Sequence, residues 1–137
     1  MDAYDQIAAW YTSTRDPTSG ADEIEAFARQ LAPGSAVLDV GCGDGVPVSR
    51  LLHRAGLALT ALDSSRAMVE RYRANVPDVP VRHASVLDAE FDAGTFAGIV
   101  AWGVLFHLTL EDQADAFGRI STWLAPAGRL LFTSGGT

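Results

Sequence analysis

Residues 37–45, Val-Leu-Asp-Val-Gly-Cys-Gly-Asp-Gly, join a short apolar run to a loop with glycine at every second position. The apolar run predicts a buried strand, and a helical pattern with Val48, Leu51 and Leu52 on one side follows the loop. Glycines allow the backbone to turn sharply and to approach a ligand closely. The free N–H groups at the start of the next helix suit a carboxylate. The stretch therefore predicts a strand, a ligand-binding loop and a helix.

The same alternation of apolar strands and helices continues on both sides of this unit. We expect a loop over 12–20, a helix that carries Ile24 and Phe27, a helix capped by Ser64 or Ser65, and a helix that starts at Thr109. The other predicted strands cover 57–62, 81–84, 96–102 and 129–133. Near-continuous apolar strands with helical crossovers predict a doubly wound α/β domain, with a mostly parallel sheet and helices on both faces.

Composition and charge exclude several classes of function. The 137 residues predict one domain, and a net charge of -7 argues against a nucleic-acid partner. All ten basic residues are Arg, so a lysine Schiff base or a Walker-type phosphate loop is excluded. One cysteine and scattered histidines predict no metal site. Without a signal peptide or a long apolar segment, we expect a cytoplasmic protein with no membrane partner.

In an open parallel sheet, ligands bind at the carboxyl ends of the strands. Asp63 lies at such an end, 18 residues after Gly45, where a carboxylate can accept hydrogen bonds from both hydroxyls of a ribose. A dinucleotide site needs G-x-G-x-x-G, whereas here the spacing is G-x-G-x-G and position 46 is Val. The pattern therefore predicts a ligand that contains a ribose and argues against NAD.

Several segments together resemble the class I S-adenosylmethionine-dependent methyltransferases of the small-molecule type. V-L-D-V-G-C-G-D-G resembles their first motif, and A-L-D-S-S resembles their second-strand motif. Residues 96–108, Asp112-Gln113 and 124–136 resemble the fourth strand, its helix and the fifth strand. The resemblance covers essentially the whole chain and implies a Rossmann-like sheet of order 3-2-1-4-5 in a bacterial-type enzyme. Residues 1–20 would be a lid or substrate segment, and 21–137 the cofactor-binding domain.

The resemblance implies a role for each matching residue toward the cofactor S-adenosylmethionine, which leaves as S-adenosylhomocysteine. Tyr11 would cover the cofactor, Asp39 would organise the glycine loop and Asp63 would hold the ribose. The other implied cofactor residues are Gly41, Cys42, Gly43 and Gly45 at the methionine part, Ser64 and Met68 beside ribose and adenine, Ser85 and Val86 at the adenine, and Trp102-Gly103 near the sulfonium. His107 could act as a general base, or it could be a buried structural histidine.

Three departures from the family pattern leave alternatives open. Ser85 and Ala97 stand where the family usually has Asp, and the chain stops where the fifth strand ends. We expect Leu130, Leu131 and Phe132 to form an uncovered apolar edge, so that the chain is a fragment or a homodimer. The first hypothesis is methyl transfer to a small-molecule acceptor by in-line displacement. The alternatives are a non-catalytic or truncated cofactor-binding module and, less favoured, an NAD-dependent oxidoreductase.

Overall fold

A computed structural model describes residues 17–103, 105 and 108–132, in which helices and strands alternate. The elements are α1 (Pro17–Arg29), β1 (Ala36–Val40), α2 (Val48–Arg54), β2 (Ala58–Asp63), α3 (Arg66–Asn75), β3 (Val81–His83), β4 (Phe96–Ala101), α4 (Leu110–Trp123) and β5 (Leu124–Phe132). The strands form one sheet of order β3-β2-β1-β4-β5, and every neighbouring pair is parallel. This confirms the predicted doubly wound α/β fold and its strand order.

Two apolar clusters lie on the two faces of the sheet, because successive strand residues point to opposite sides. In β1, Leu38 and Val40 belong to the cluster covered by α4, whereas Val37 belongs to the cluster covered by α1, α2 and α3. A fully buried Leu or Ile contributes about 1.5–3 kcal/mol. Packing on both faces therefore fixes the position of the sheet between its helices.

The helices begin where local chemistry allows them to begin. Ser65 Oγ accepts from Met68 N–H at 3.3 Å, and Thr109 Oγ1 accepts from Asp112 N–H at 3.1 Å, so both predicted caps are confirmed. The loop predicted over 12–20 is wrong for residues 17–20, because α1 begins at Pro17, and proline is well tolerated in a first helical turn. Among the described residues, no helix is long and apolar enough to cross a membrane.

The last strand is longer than the predicted range 129–133. Leu124 pairs with Phe96, the register then shifts, and pairing resumes at Arg129 beside Gly98. Side-chain exposure is 0% for Leu130 and Leu131, and 3% for Phe132. Both faces of β5 are therefore covered and these side chains are buried, whereas the predicted uncovered edge concerns the backbone of the strand and stays a prediction. Within the described residues, β5 remains the last strand on its side of the sheet.

Candidate functional site

The carboxyl ends of adjacent strands meet at one edge of the sheet. Val40 at the end of β1 lies beside Leu62 in β2, and Asp39 lies beside Val100 in β4. Asp63 at the end of β2 lies beside His83 at the end of β3. The glycine loop and the segments that follow β2, β3 and β4 therefore leave the sheet together, as expected for a switch-point site.

The loop from Gly41 to Gly45 turns back on itself in a conformation that needs glycine. The φ angles of Gly41, Gly43 and Gly45 are +67°, +58° and +87°, which side-chain-bearing residues rarely adopt. Cys42 N–H donates to the Leu62 carbonyl at 3.0 Å, and Gly45 N–H donates to the Cys42 carbonyl at 3.1 Å. The loop is thus bonded to β2 as well as to itself.

Asp63 connects the glycine loop to the start of α3. Its Oδ2 accepts from Gly43 N–H at 2.9 Å, and its Oδ1 accepts from Ser65 N–H at 2.8 Å. The carboxylate is half-buried, and each oxygen has a second lone pair that these bonds do not use. Asp63 can therefore hold the loop and accept hydrogen bonds from two hydroxyl groups of a ligand.

Asp39 is buried beneath the loop, with 1% of its surface exposed. Its Oδ2 accepts from Ser49 Oγ–H of α2 at 2.6 Å, and Ser49 Oγ accepts from Tyr72 Oη–H of α3 at 2.9 Å. The pKa of Asp39 is raised to about 7, chiefly because the carboxyl group is buried. The hydrogen bond from Ser49 lowers this pKa, and the negative charge of Asp63 raises it. Asp39 thus bonds to the helix that directly follows the loop.

Cys42 is the second residue of the loop, and its thiol is buried. Its Sγ–H lies 3.6 Å from the Gly43 carbonyl oxygen, as a weak donor. Burial raises the pKa of the thiol above its usual range, and the negative charges of Asp39 and Asp63 raise it further. A reactive thiolate is therefore disfavoured, and Cys42 contributes its backbone to the loop.

The segment after β2 is held by a histidine that the sequence does not single out. Ser64 is exposed, and its carbonyl lies 3.0 Å from His83 Nε2 of β3, which donates in the corresponding tautomer. Met68 is half-buried on the first turn of α3, one turn beyond Ser64. Both residues thus lie beside Asp63, and their contacts with a ribose and adenine remain predictions.

The segment after β3 forms a turn around Ser85. Ser85 Oγ accepts from Leu87 N–H at 3.1 Å, and the Ser85 carbonyl accepts from Ala89 N–H at 2.9 Å. Val86 is 5% exposed and packs in the cluster covered by α4. The hydroxyl proton of Ser85 and its second lone pair are not used by the bond to Leu87. Roles at an adenine edge and face remain predictions for both residues.

The segment after β4 begins at Trp102 and Gly103, which are both half-buried. Trp102 packs against the cluster covered by α1, α2 and α3, and Gly103 has a φ of +73°. The predicted cover residue Tyr11 and the predicted base His107 lie outside the described residues, as does most of the predicted segment 1–20.

Ser49 and Tyr72 are functional candidates that sequence patterns alone do not reveal. Ser49 lies on the short helix for which the apolar spacing predicts Val48, Leu51 and Leu52 on the inward side, and Ser49 is fully buried. Tyr72 follows the apolar spacing of α3, which predicts that its ring packs in the core. Its hydroxyl, in addition, donates to Ser49. Their one signal in the sequence is a hydroxyl at an inward-facing helical position, because a buried hydroxyl needs a hydrogen-bond partner.

A concavity of about 500 Å³ lies at the opposite edge of the sheet, near the amino ends of the strands. Its lining includes Ala36, Ala58, Asp78, Arg82 and Thr95. In the described part of the chain, no group of three or more His, Cys, Asp or Glu residues is placed to hold a metal ion.

A known protein family matches most of this chain. The family described as "Methyltransferase domain" matches residues 37–128, from β1 into the first part of β5. An uncharacterized methyltransferase of Mycobacterium tuberculosis (strain ATCC 25618 / H37Rv) is 34% identical over 96 residues, which cover 69% of this chain and 47% of that protein. The match includes the glycine loop, Asp39 and Asp63 within the family range.

Two further proteins extend the likeness over more of the chain. The sarcosine/dimethylglycine N-methyltransferase of Halorhodospira halochloris is 28% identical over 134 residues, covering 90% of this chain and 47% of that protein. A solved S-adenosylmethionine-dependent methyltransferase from Mesorhizobium loti is 28% identical with a TM-score of 0.69, over 83% of this chain and 53% of that one. The chain thus spans about half the length of the curated relatives it matches. It belongs to the class I S-adenosylmethionine-dependent methyltransferases.

Proposed function

We propose that this chain binds S-adenosylmethionine at the carboxyl edge of its sheet and transfers the methyl group to a small-molecule acceptor. The observation that carries the proposal is the position of Asp63, which bonds the glycine loop and the start of α3 with one lone pair of each oxygen. The second lone pairs can accept the two hydroxyls of a ribose. Glycine-loop backbone and a ribose-binding carboxylate are the two features that an adenosyl cofactor needs.

The charges near the loop support a ligand with cationic groups. Asp44 lies on the loop and Asp63 lies directly beside it. The cofactor carries a sulfonium and an ammonium group, which nearby negative charge stabilises. Gly41, Cys42 and Gly43 would line its methionine part, Ser64 and Met68 its ribose, and Ser85 and Val86 its adenine.

When bound, the cofactor would supply an activated methyl group, which an acceptor lone pair would take as the carbon–sulfur bond breaks, with S-adenosylhomocysteine as the leaving group. The residues of this chain then need only to align the acceptor and to exclude water. Trp102-Gly103 would lie near the reacting centre, and His107 would accept the acceptor proton if one is released. The named activity of the Halorhodospira relative makes small amines the first acceptors to test, before phenols, carboxylates and thiols.

A non-catalytic cofactor-binding module is the second candidate, and one observation favours it. The Ser85 hydroxyl already accepts from Leu87 N–H, and it replaces the carboxylate that the family resemblance leads one to expect at the adenine edge. A hydroxyl accepts more weakly than a carboxylate. Under this candidate the chain would bind the cofactor but would methylate no acceptor.

Calorimetric titration with S-adenosylmethionine, S-adenosylhomocysteine and NAD tests the proposal. We expect micromolar binding of both adenosyl compounds and none of NAD, because position 46 is Val and the G-x-G-x-x-G spacing is absent. A chain that binds neither adenosyl compound, or that prefers NAD, would contradict the proposal. Binding without methyl transfer to any acceptor class would favour the non-catalytic module.

We further propose a bacterial-type cytoplasmic protein with no nucleic-acid or membrane partner, and a homodimer through the β5 edge. The net charge of -7 supports the absence of a nucleic-acid or membrane partner, and the terminal position of β5 in the described sheet supports the homodimer. Sedimentation velocity at rising concentration should show self-association. A chain that stays monomeric at high concentration and unfolds in one cooperative transition would overturn the dimer.

A further inference from the structure

A buried chain of hydrogen bonds joins α3 to β1 beneath the glycine loop. Tyr72 Oη–H donates to Ser49 Oγ at 2.9 Å, and Ser49 Oγ–H donates to Asp39 Oδ2 at 2.6 Å. The exposed fractions are 0% for Tyr72 and Ser49, and 1% for Asp39. Since a serine hydroxyl has one proton, giving it to Asp39 leaves only its lone pairs for Tyr72, so both protons point toward the carboxylate.

The ring of Tyr72 also contacts the loop itself. A Cβ atom at Gly45 would lie 2.9 Å from Tyr72 Cδ2 and 2.7 Å from Val76 Cγ2, so α3 packs directly against the backbone at Gly45. One helical turn after Tyr72, Asn75 Nδ2–H donates to the Asp44 carbonyl at 3.0 Å. The second half of α3 therefore holds Asp44 and Gly45, while Asp63 near its first turn holds Gly43.

Such a buried polar chain is poorly explained by stability alone. Apolar residues of similar shape could fill the same space without the cost of desolvating two hydroxyls and a carboxylate. Fully satisfied buried networks do fix one arrangement of the groups they connect. Because this network ends at Asp39, two residues before Gly41, the arrangement that it fixes is that of the glycine loop.

We propose that Tyr72, acting through Ser49 and Asp39, is a positioning residue that holds the glycine loop in its cofactor-binding shape. This inference rests on the proposed function, since it assigns the loop an adenosyl cofactor. Tyr72 would act through these contacts without touching the cofactor.

The matched pair Tyr72→Phe and Val69→Ala tests the positioning role. Tyr72→Phe keeps the ring against Gly45 and removes only the hydroxyl, whereas Val69→Ala opens a cavity on α3 at a residue that is 2% exposed. We expect Tyr72→Phe to weaken S-adenosylhomocysteine binding about fivefold, the effect of one ordinary hydrogen bond. Val69→Ala should lower the unfolding midpoint without changing the affinity of the folded chain. Equal affinity in wild type and Tyr72→Phe, or equal loss in both variants, would overturn the proposal.

A pH profile gives a readout that general loss of packing would not move. The titratable groups acting on or near Asp39 are Asp63 at the end of β2, Cys42 on the loop and Tyr72 on α3; its neighbour in β4 is Val100. The folded pKa of Asp39, about 7, lies above its ordinary value of 3.8. Its contribution to stability is therefore full below about pH 4 and is lost as pH rises toward 7.

The hydroxyls of Ser49 and Tyr72 stabilise ionised Asp39, so removing either hydroxyl should raise the folded pKa of Asp39. The loss of stability with rising pH should then extend to higher pH. We expect urea unfolding between pH 5 and 9 to show the shift in Ser49→Ala and, to a smaller extent, in Tyr72→Phe, whereas Val69→Ala should keep the wild-type profile. Identical profiles in all four proteins would contradict the network. If the wild-type chain fails to bind S-adenosylhomocysteine, the proposed function fails, and these profiles still decide whether Tyr72 acts on Asp39.

Discussion

Asp63→Ala should weaken S-adenosylhomocysteine binding by at least about 100-fold. The variant lacks the carboxylate that would accept hydrogen bonds from two ribose hydroxyls, and a hydrogen bond to a charged group is worth about 1.5–3 kcal/mol. Two such bonds at the lower value correspond to about 100-fold, since about 1.4 kcal/mol is tenfold in affinity. The loop would also lose the bond from Gly43 N–H, which is 2.9 Å long, and with it part of its bound shape. Calorimetric titration of both proteins measures the change.

Asp78→Ala is the matched control for the loss of one negative charge. Asp78 is exposed and lines the concavity at the opposite edge of the sheet. Its substitution should leave the affinity within about twofold, because exposed charges farther apart than a Debye length of about 10 Å are largely screened. If Asp63→Ala binds as tightly as Asp78→Ala, the assignment of the ribose to Asp63 is wrong.

Gly45→Ala should lower the free energy of unfolding by about 2–5 kcal/mol and remove cofactor binding. The φ of Gly45 is +87°, and a left-handed conformation costs an alanine about 1–2 kcal/mol. The new methyl group would lie 2.7 Å from Val76 Cγ2 and 2.9 Å from Tyr72 Cδ2, and overpacking of this kind costs about 1–3 kcal/mol. Relief of the contact would move either the loop or α3. Urea unfolding and calorimetric titration measure the two effects.

Gly56→Ala separates backbone strain from overpacking, because the φ of Gly56 is also +87° whereas a Cβ added there meets nothing within 4 Å. This variant should lose only the backbone part, about 1–2 kcal/mol, and should bind S-adenosylhomocysteine like wild type. Equal destabilisation of the two variants would show that the close packing of α3 against the loop contributes nothing.

Much of the fold could be predicted because the apolar periodicity of strands and helices coincided with capping residues at the helix starts. The apolar runs gave the parallel sheet, and the caps at Ser65 and Thr109 are visible as short polar residues before helical patterns. The place of the glycine loop and of Asp63 followed from a general property of parallel sheets, namely that their carboxyl ends share one edge.

The remainder depended on contacts between distant residues, which local patterns do not contain. The start of α1 at Pro17 and the pairing of Leu124 with Phe96 are set by packing and register. The bond from Tyr72 to Ser49 joins residues 23 positions apart. Likewise, Leu130 and Leu131 are buried because helices cover both faces of β5, whereas the sequence shows only that they are apolar.

The most direct test of the central claim is an amide ¹H–¹⁵N NMR titration of the wild-type chain with S-adenosylhomocysteine. Binding at the carboxyl edge predicts the largest shifts at Gly43 and Ser65, whose N–H groups donate to Asp63, with further shifts at Gly41 and Gly45. Amides at the opposite edge, such as Ala58, should stay in place. Shifts concentrated around Ala58 and Thr95, or no shifts at saturating ligand, would contradict the account.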